Sequence, residues 1–188
     1  MMSGKNLDLF DLDETLFHTS AKIQVKKDDQ IIKSLTNKEF NEYVLEDGEE
    51  YDFSQFRDSK FFTETSSPIR RVVDTLIERY NHNLINGGRT VVVTARADFN
   101  DREVFLMFLE SFGIPVRDTD KFFIYRTGNA TDDLSVAVRK KNLIRELLQE
   151  QFDVVTFFDD NIGNLVEFMH LSKEFPGTDF CSVLVNGE

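Results

Sequence analysis

The chain has 188 residues, of which 40% are hydrophobic and 30% charged, and its formal net charge is -12. This composition is typical of one soluble globular domain, and the negative charge disfavours general binding to nucleic acids or anionic membranes. The single cysteine excludes an internal disulfide, and no segment has the length and apolarity of a membrane span or signal peptide, so we expect a cytoplasmic protein.

Five short apolar segments predict β-strands, because each is rich in β-branched or aromatic residues. They cover residues 6–10, 89–95, 121–126, 152–158 and 180–185. Apolar residues at helical spacing predict four helices, over residues 66–82, 100–113, 139–151 and 163–172. In the first helix, Ser67 is the expected N-cap and Pro68 the first helical residue. The alternation predicts one α/β domain over residues 1–188, with a doubly wound, mostly parallel sheet.

The region from about 21 to 66 interrupts this alternation and is predicted to be an insertion after the first strand. Two alternating segments around Asp28 and Asp29 predict a β-hairpin, and an acidic stretch with one short helix follows. Because the hairpin is partly basic in an acidic chain, we expect it to form a small lid that selects the substrate. Its basic residues are Lys22, Lys26 and Lys27.

Polar residues follow three of the predicted strands. Ligands of open parallel sheets bind outside the carboxyl ends of the strands, so these residues are expected to converge there. Carboxylates packed so closely repel one another unless a cation lies among them, and oxygen ligands favour Mg²⁺. A cation, a hydroxyl and a lysine together can bind and transfer a phosphoryl group. The residues are Asp11 and Asp13 after the first strand, Thr94 and Arg96 after the second, and Asp159 and Asp160 after the fourth.

Each of these features has a simpler interpretation when it is taken alone. An Asp-x-Asp pair after a strand is commonly a turn, and a Thr there is commonly a helix cap. Lys140 and Lys141 are most simply solvated helix residues, and two acids at a helix N-terminus can interact with the helix dipole. The occurrence of all four features in order, each at the end of the appropriate element, favours a functional site.

The four segments "DLDET", "VVVTAR", a helix with an early lysine, and "FFDDNIGN" resemble the motifs of the haloacid dehalogenase superfamily of phosphohydrolases. The resemblance covers roughly residues 5–170 and leaves the insertion unmatched, as in members with a small lid or none. "DLDETLFH" is similar to the branch that acts on phosphoserine in disordered tails, whereas "FFDDNIGN" is closer to the small magnesium-dependent phosphatases.

The resemblance implies a Mg²⁺-dependent phosphatase that hydrolyses a phosphomonoester through an aspartyl-phosphate. Asp11 would be the nucleophile, and Asp13 would protonate the leaving oxygen and then activate water. The phosphoryl group would be bound by Thr94, the motif lysine, and backbone groups of Leu12, Asp13 and Ala95. Mg²⁺ would be held by Asp11, the carbonyl of Asp13 and Asp160.

The motif lysine is interpreted as Lys140. Counted from this residue, apolar residues follow three, four, seven and eight positions later, so Lys140 lies on the rim of the buried helix face. Lys141 remains the alternative. Four positions after Asp160 the family commonly has a further acid, whereas this chain has Asn164, which can order a metal-bound water.

Two rival functions use the same fold. A receiver-like phosphoacceptor domain also combines acids, a Thr and a Lys, but its phosphoacceptor follows the third strand, where this chain has no Asp. A non-catalytic phosphate-binding module is the other rival, because fold alone does not define function. For a phosphatase with only a small lid, the expected substrate is bulky: a phosphoprotein, a nucleotide or a polynucleotide end.

Overall fold

The structure, a computed structural model, describes residues 4–186, without the side chains of residues 37, 38 and 41. The strands are β1 (Asn6–Phe10), β2 (Phe17–His18), β3 (Ile23–Lys27), β4 (Gln30–Leu35), β5 (Glu49–Asp52), β6 (Ser67–Pro68), β7 (Arg89–Thr94), β8 (Phe122–Arg126), β9 (Val154–Asp159) and β10 (Asp179–Leu184). The α-helices are α1 (Asn37–Glu42), α2 (Ser59–Thr65), α3 (Arg70–Asn86), α4 (Arg102–Glu110), α5 (Val136–Leu147) and α6 (Ile162–Met169). None of the helices in this described part of the chain is long and apolar enough to cross a membrane.

A five-stranded parallel sheet forms the centre of the molecule, with strand order β10-β9-β1-β7-β8. The predicted α/β class and the five predicted strands are confirmed, with ends shifted by two residues or fewer. Because all five strands are parallel, their carboxyl ends lie on one edge of the sheet. β1 is the central strand, and β7 and β9 are its neighbours.

Side chains of the sheet alternate between two cores. Leu7 and Leu9 of β1 pack with α5 and α6, whereas Phe10 packs with α3 and α4 on the opposite face. Helices therefore cover both faces of the sheet, and the central strands are apolar on both sides, as is usual for parallel sheets. Each fully buried Leu or Phe side chain contributes about 1.5–3 kcal/mol through removal of apolar surface from water.

The insertion folds into a small sheet of its own. β3 lies between β4 and β5 in an antiparallel arrangement, so the predicted hairpin is present and gains a third strand. Asp28 and Asp29 form its two-residue turn with φ angles of 50° and 60°. Ile23 and Val25 are buried in a separate cluster, and Lys26 forms an ion pair with Asp52. With Leu35 of β4, three of the hairpin's residues are therefore core residues, and one lysine has an internal partner.

The predicted start of the first helix is wrong. Ser67 and Pro68 form β6, which pairs antiparallel with β2, and α3 begins only at Arg70. Its N-cap position, Ile69, makes no side-chain capping hydrogen bond. The β2–β6 pair closes the base of the insertion, and this tertiary pairing overrides the local Ser-Pro helix signal.

The helix that carries Lys140 also begins earlier than predicted. Ser135 is its N-cap, and its side chain accepts a hydrogen bond from the Val138 N–H. Lys140 therefore lies in the second turn of α5. Its side chain is directed toward the carboxyl ends of β1 and β9, where it contacts Asp11 and Asp159.

Candidate active site

The carboxyl ends of β1 and β9 are held together next to Asp11. The Asp11 N–H donates a 2.9 Å hydrogen bond to the Phe158 carbonyl, and the rings of Phe10 and Phe158 stack with centroids 4.4 Å apart. These contacts continue the parallel pairing of the two strands to their last residues. The acids that follow the strands are consequently placed side by side.

Lys140 bridges two of these acids. Its Nζ lies 2.6 Å from Oδ1 of Asp11 and 2.8 Å from Oδ2 of Asp159. All three side chains are buried, with exposed fractions of 2%, 7% and 0%. Two carboxylates and one ammonium leave this buried cluster with an excess negative charge when all three groups are ionised.

Burial and neighbouring charges have competing effects on the pKa of Asp11 and on that of Lys140. Burial raises the pKa of Asp11 well above its usual range, Lys140 opposes that shift, and Asp159 and Asp13 add to it. Burial alone would lower the pKa of Lys140, yet the two carboxylates outweigh burial and raise it. Lys140 is therefore a permanent positive charge beside Asp11. Its single charge cannot neutralise both Asp11 and Asp159.

The "FFDDN" segment gives its two acids different environments. Asp159 is fully buried, and both of its carboxylate oxygens accept hydrogen bonds from Asn164 Nδ2, at 2.9 and 3.0 Å. The Asn161 N–H donates a further bond to Asp159 at 2.8 Å. Asp160 is exposed, although nearby protein atoms partly desolvate its carboxylate. Asn164, which was expected to order a metal-bound water, thus orients Asp159 in this structure.

Three carboxylates form a site with the composition of a hard-cation centre. Oxygens of Asp11, Asp159 and Asp160 lie within 4.8 Å of one another. Desolvation, followed by the neighbouring charge of Asp159, raises the pKa of Asp160 to about 6. The predicted ligands Asp11 and Asp160 are therefore brought together, and Asp159 joins them. Oxygen-only donors whose repulsion Lys140 relieves only in part are a set that could hold a hard cation such as Mg²⁺.

Asp13 lies outside this group of carboxylates because its side chain is bound by Arg96. Arg96 Nε lies 3.0 and 2.9 Å from the two oxygens of Asp13, and Arg96 Nη2 lies 2.6 Å from Oδ1. This is a bidentate arrangement of the strong, charge-assisted kind. The side chain of Arg96 is only 1% exposed, whereas that of Asp13 is 16% exposed.

The environment of Arg96 links the insertion to the site. Its Nη1 donates a 3.0 Å hydrogen bond to the Phe56 carbonyl. Its guanidinium also lies 4.8 to 5.4 Å from the ring centroids of Phe56, Phe62 and Phe99. The sequence analysis placed Arg96 at the sheet edge but assigned it no partner. An arginine two positions after the motif threonine and opposite an acid pair is the signal that could have revealed the pairing.

The loop after β1 is shaped by Glu14. Glu14 has a φ of 56°, which lets the chain turn back so that the Leu12 carbonyl accepts from the N–H groups of Leu16 and Phe17. Its carboxylate binds the Thr19 N–H at 2.8 Å and His18 Nδ1 at 3.0 Å. Among the described residues, none accepts a hydrogen bond from the N–H of Leu12 or of Asp13.

Thr94 and Ala95 lie at the end of β7, beside this loop. Thr94 is buried, and its Oγ1 accepts a 3.1 Å bond from the Arg96 N–H, so the hydroxyl proton can serve another acceptor. Gly128 packs directly on the Ala95 carbonyl, where any Cβ would clash with backbone. This contact fixes the turn that carries Ala95 and Arg96.

The neighbours of Lys140 on α5 are engaged elsewhere. Lys141 pairs with Glu167, and Arg139 Nε lies 2.6 Å from Oδ1 of Asp132. Of the three consecutive basic residues, Lys140 is the one that the structure places among the acids at the end of β1. The assignment of its role stays a prediction.

Comparison with protein-family models, with curated proteins and with solved structures finds no significant match to this chain. The resemblance to phosphohydrolases therefore depends on the residues and their arrangement.

Proposed function

We propose that this protein is a Mg²⁺-dependent phosphatase of the haloacid dehalogenase type, which hydrolyses a phosphomonoester through an aspartyl-phosphate. The observation that supports this proposal best is the buried Lys140 between Asp11 and Asp159, at the carboxyl edge of a parallel sheet. A purely structural ion pair needs one carboxylate for one ammonium. The second carboxylate, with Asp160 beside it, is explained by a cation and a phosphoryl group that bind there.

Asp11 is the proposed nucleophile. An oxygen of its carboxylate attacks phosphorus, the ester bond to the leaving oxygen breaks, and the phosphoryl group becomes attached to Asp11. Lys140 keeps one Asp11 oxygen oriented and offers positive charge to the phosphoryl oxygens. The unpaired N–H groups of Leu12 and Asp13, with the Thr94 hydroxyl, are donors for the same oxygens.

Asp13 is the proposed acid and base. It gives a proton to the leaving oxygen in the first step, and in the second it takes a proton from the water that attacks the phosphoryl group on Asp11. In this structure both oxygens of its carboxylate accept hydrogen bonds from Arg96. The first step therefore requires Asp13 to rotate from Arg96 toward the substrate.

The residues present fit a resident Mg²⁺. Asp11 and Asp160 would hold it, together with the Asp13 carbonyl, and Asp159 would complete the negative charge around it. When bound, the cation neutralises charge on the phosphoryl oxygens and relieves repulsion among the carboxylates.

The small size of the insertion favours a phosphorylated substrate that is bulky or that carries its phosphate at an exposed position. Its three-stranded sheet is small, and it contacts the site through the segment that carries Phe56. Such a lid can exclude water near Asp13 without enclosing a small metabolite. A phosphoprotein segment, a nucleotide or a polynucleotide end fits this description, and the net charge of -12 disfavours long nucleic acids.

The Asp13–Arg96 pair also favours a second candidate, a phosphoacceptor domain that forms the aspartyl-phosphate and retains it. If Asp13 never leaves Arg96, nothing activates the hydrolytic water. The two candidates differ in the number of phosphates released per protein molecule. A phosphatase turns over many times, whereas a phosphoacceptor releases one equivalent of leaving group and stops.

The test is the hydrolysis of an aryl phosphate by the purified protein with Mg²⁺ and with chelator. We expect multiple turnovers that require Mg²⁺ and that disappear in Asp11→Asn. The matched control is Asp74→Asn, which neutralises an exposed acid on α3 and should keep full activity. Turnover by Asp11→Asn at the wild-type rate would exclude the proposed nucleophile.

A further inference from the structure

A cavity of about 210 Å³ lies beside β8, on the side of the sheet that α4 covers. Two arginines contribute to its wall, Arg126 at the end of β8 and Arg102 at the start of α4. Since one liquid water occupies about 30 Å³, the cavity has room for a small polyatomic ion. Its other lining residues include Thr119 and the aromatic residues Phe122 and Phe123.

The side chain of Arg126 is largely buried, and its guanidinium carbon lies 5.6 Å from the ring centroid of Phe105. Its side chain is 11% exposed, and its Nε is fully buried with no hydrogen-bond acceptor in the described part of the chain. The nearest charge is Asp98 Oδ1, 3.5 Å from that Nε. A guanidinium carries five N–H donors, and leaving even one of them unpaired in the interior is unfavourable.

Asp98 compensates this charge only in part. Its side chain is 73% exposed, and its other oxygen already accepts a 3.0 Å hydrogen bond from Asn129 Nδ2. Burial lowers the pKa of Arg126, Asp98 opposes that shift, and Arg102 adds to it. The largely buried Arg126 and the exposed Arg102 thus face one largely solvated carboxylate, in a chain whose net charge is -12.

A second cavity, of about 240 Å³, is also lined by Arg126, but its other arginine is neutralised. Arg139 Nε lies 2.6 Å from Asp132 Oδ1, and Arg139 also donates to the Asp132 carbonyl. The cavity shared with Arg102 is therefore the one in which uncompensated positive charge is concentrated.

We propose that the cavity between α4 and β8 binds a small oxyanion, a phosphate or a carboxylate, through Arg126 and Arg102. The planar fork of a guanidinium matches two oxygens of either group, and the anion would supply the acceptor that the Nε–H of Arg126 lacks. Arg126 is paired in register with Thr94 across β7 and β8, so this anion site lies one strand beyond Thr94. It is separate from the Lys140 cluster and does not depend on phosphatase activity.

The experiment is a titration of the ¹⁵N-labelled full chain with inorganic phosphate, and separately with acetate, observed by NMR. We expect saturable shifts of the Arg126 Nε–H and of the β8 amides. Stronger binding of phosphate would identify a tetrahedral dianion as the ligand class, and equal or stronger binding of acetate a carboxylate. Shifts of the Asp13 amide report binding at the proposed active site. Absence of binding at one site is therefore distinguished from absence of binding at the other.

Arg126→Met should weaken binding at the cavity by roughly tenfold or more, the loss expected for charge-assisted hydrogen bonds. Lys121→Met is the matched control, because it removes an exposed positive charge just before β8, outside the cavity. Arg126→Lys keeps the charge without the fork and should bind with intermediate affinity, which provides a test even if the Met variant is unfolded. Shifts of the β8 amides that do not saturate in the wild type, or equal binding by Arg126→Lys and the wild type, would overturn the proposal.

Discussion

Arg96 and Asp13, at the ends of β7 and β1, form a buried bidentate pair whose three contacts measure 2.6 to 3.0 Å. The same arginine donates to the Phe56 carbonyl in the insertion. The orientation of the proposed acid and base is thus coupled to the segment that covers the site. We infer that Arg96 positions the Asp13 carboxylate and does not itself contact the reacting atoms.

Arg96→Lys tests this coupling. Lysine keeps the positive charge but cannot bind both oxygens of Asp13 and the Phe56 carbonyl in one plane. We expect kcat for an aryl phosphate to fall by about 10- to 100-fold with little change in KM, because Asp13 loses the partner that fixes its orientation. Arg71→Lys, an exposed change on α3, is the control. A lower thermal stability with an unchanged kcat, or with kcat and KM changed together, would reduce Arg96 to a structural role.

Lys140→Met should destabilise the folded protein strongly. The change leaves Asp11 and Asp159 buried beside each other without their cation, and breaking such a buried pair costs about 3–5 kcal/mol. The measurement is the free energy of unfolding in urea at neutral pH without Mg²⁺. We expect part of the loss to be recovered at lower pH, where Asp11, whose pKa is raised, takes up a proton.

Lys141→Met is the matched control for Lys140→Met. Its partner Glu167 is partly exposed, so we expect a loss of about 1 kcal/mol or less. Equal losses in the two variants would show that the buried cluster has no special energetic role.

Asp160→Ala should reduce the affinity for Mg²⁺ by at least about tenfold, in the range found when residues of a metal site are lost. The carboxylate is exposed at the edge of the three-acid group and makes no ion pair with any described residue, so its removal leaves the fold intact. Titration calorimetry with Mg²⁺ measures the affinity, with the exposed Asp133→Ala as control. An unchanged Mg²⁺ affinity would transfer the ligand role to Asp159.

The pH dependence of stability should include a contribution from Asp8, far from the site on β1. Its side chain is 1% exposed, accepts from Asn83 Nδ2 at 2.9 Å, and has Arg79 at 3.8 Å. Burial raises its pKa above 3.8, and the Asn83 and Arg79 contacts oppose that shift only in part. The folded state therefore holds this proton more tightly than the unfolded chain, and stability is lost as the pH rises through the folded pKa.

Asp8→Asn removes this titration. We expect the variant to lose less unfolding free energy than the wild type between about pH 4 and about pH 7, measured by urea denaturation at each pH. Asp11 and Asp160 titrate with the same sign in both proteins, so the difference between the two curves isolates Asp8. Parallel curves would contradict the assignment.

The strands were predictable because burial of a parallel sheet on both faces requires continuous apolar segments, and these stand out in the sequence. Helix starts were less predictable. Ser67 and Pro68 have the local chemistry of a helix start, but pairing with Phe17 and His18 places them in a strand. The cap of α5, Ser135, lies between Leu134 and Val136, where the apolar residues alternate and show no helical period.

The sequence predicts that the acids and Thr94 are neighbours, because parallel strands bring their carboxyl ends to one edge. It places Lys140 near them because the apolar spacing of its helix directs this residue to the rim of the buried face. The partner of Asp13 was not, because Arg96 is 83 residues away and is positioned by Phe56 of the insertion and by three aromatic rings. The cavity at Arg126 was also missed, since it depends on how α4 packs on β8.

The central claim is tested most directly by locating the phosphoryl group during turnover. The protein is mixed with an aryl phosphate and Mg²⁺ and quenched in acid, and its peptides are analysed by mass spectrometry. We expect one phosphoryl group on Asp11, none in Asp11→Asn, and release of many equivalents of phosphate by the wild type. Phosphate release by the wild type with no phosphoryl group on Asp11 at any quench time, or undiminished release by Asp11→Asn, would contradict it.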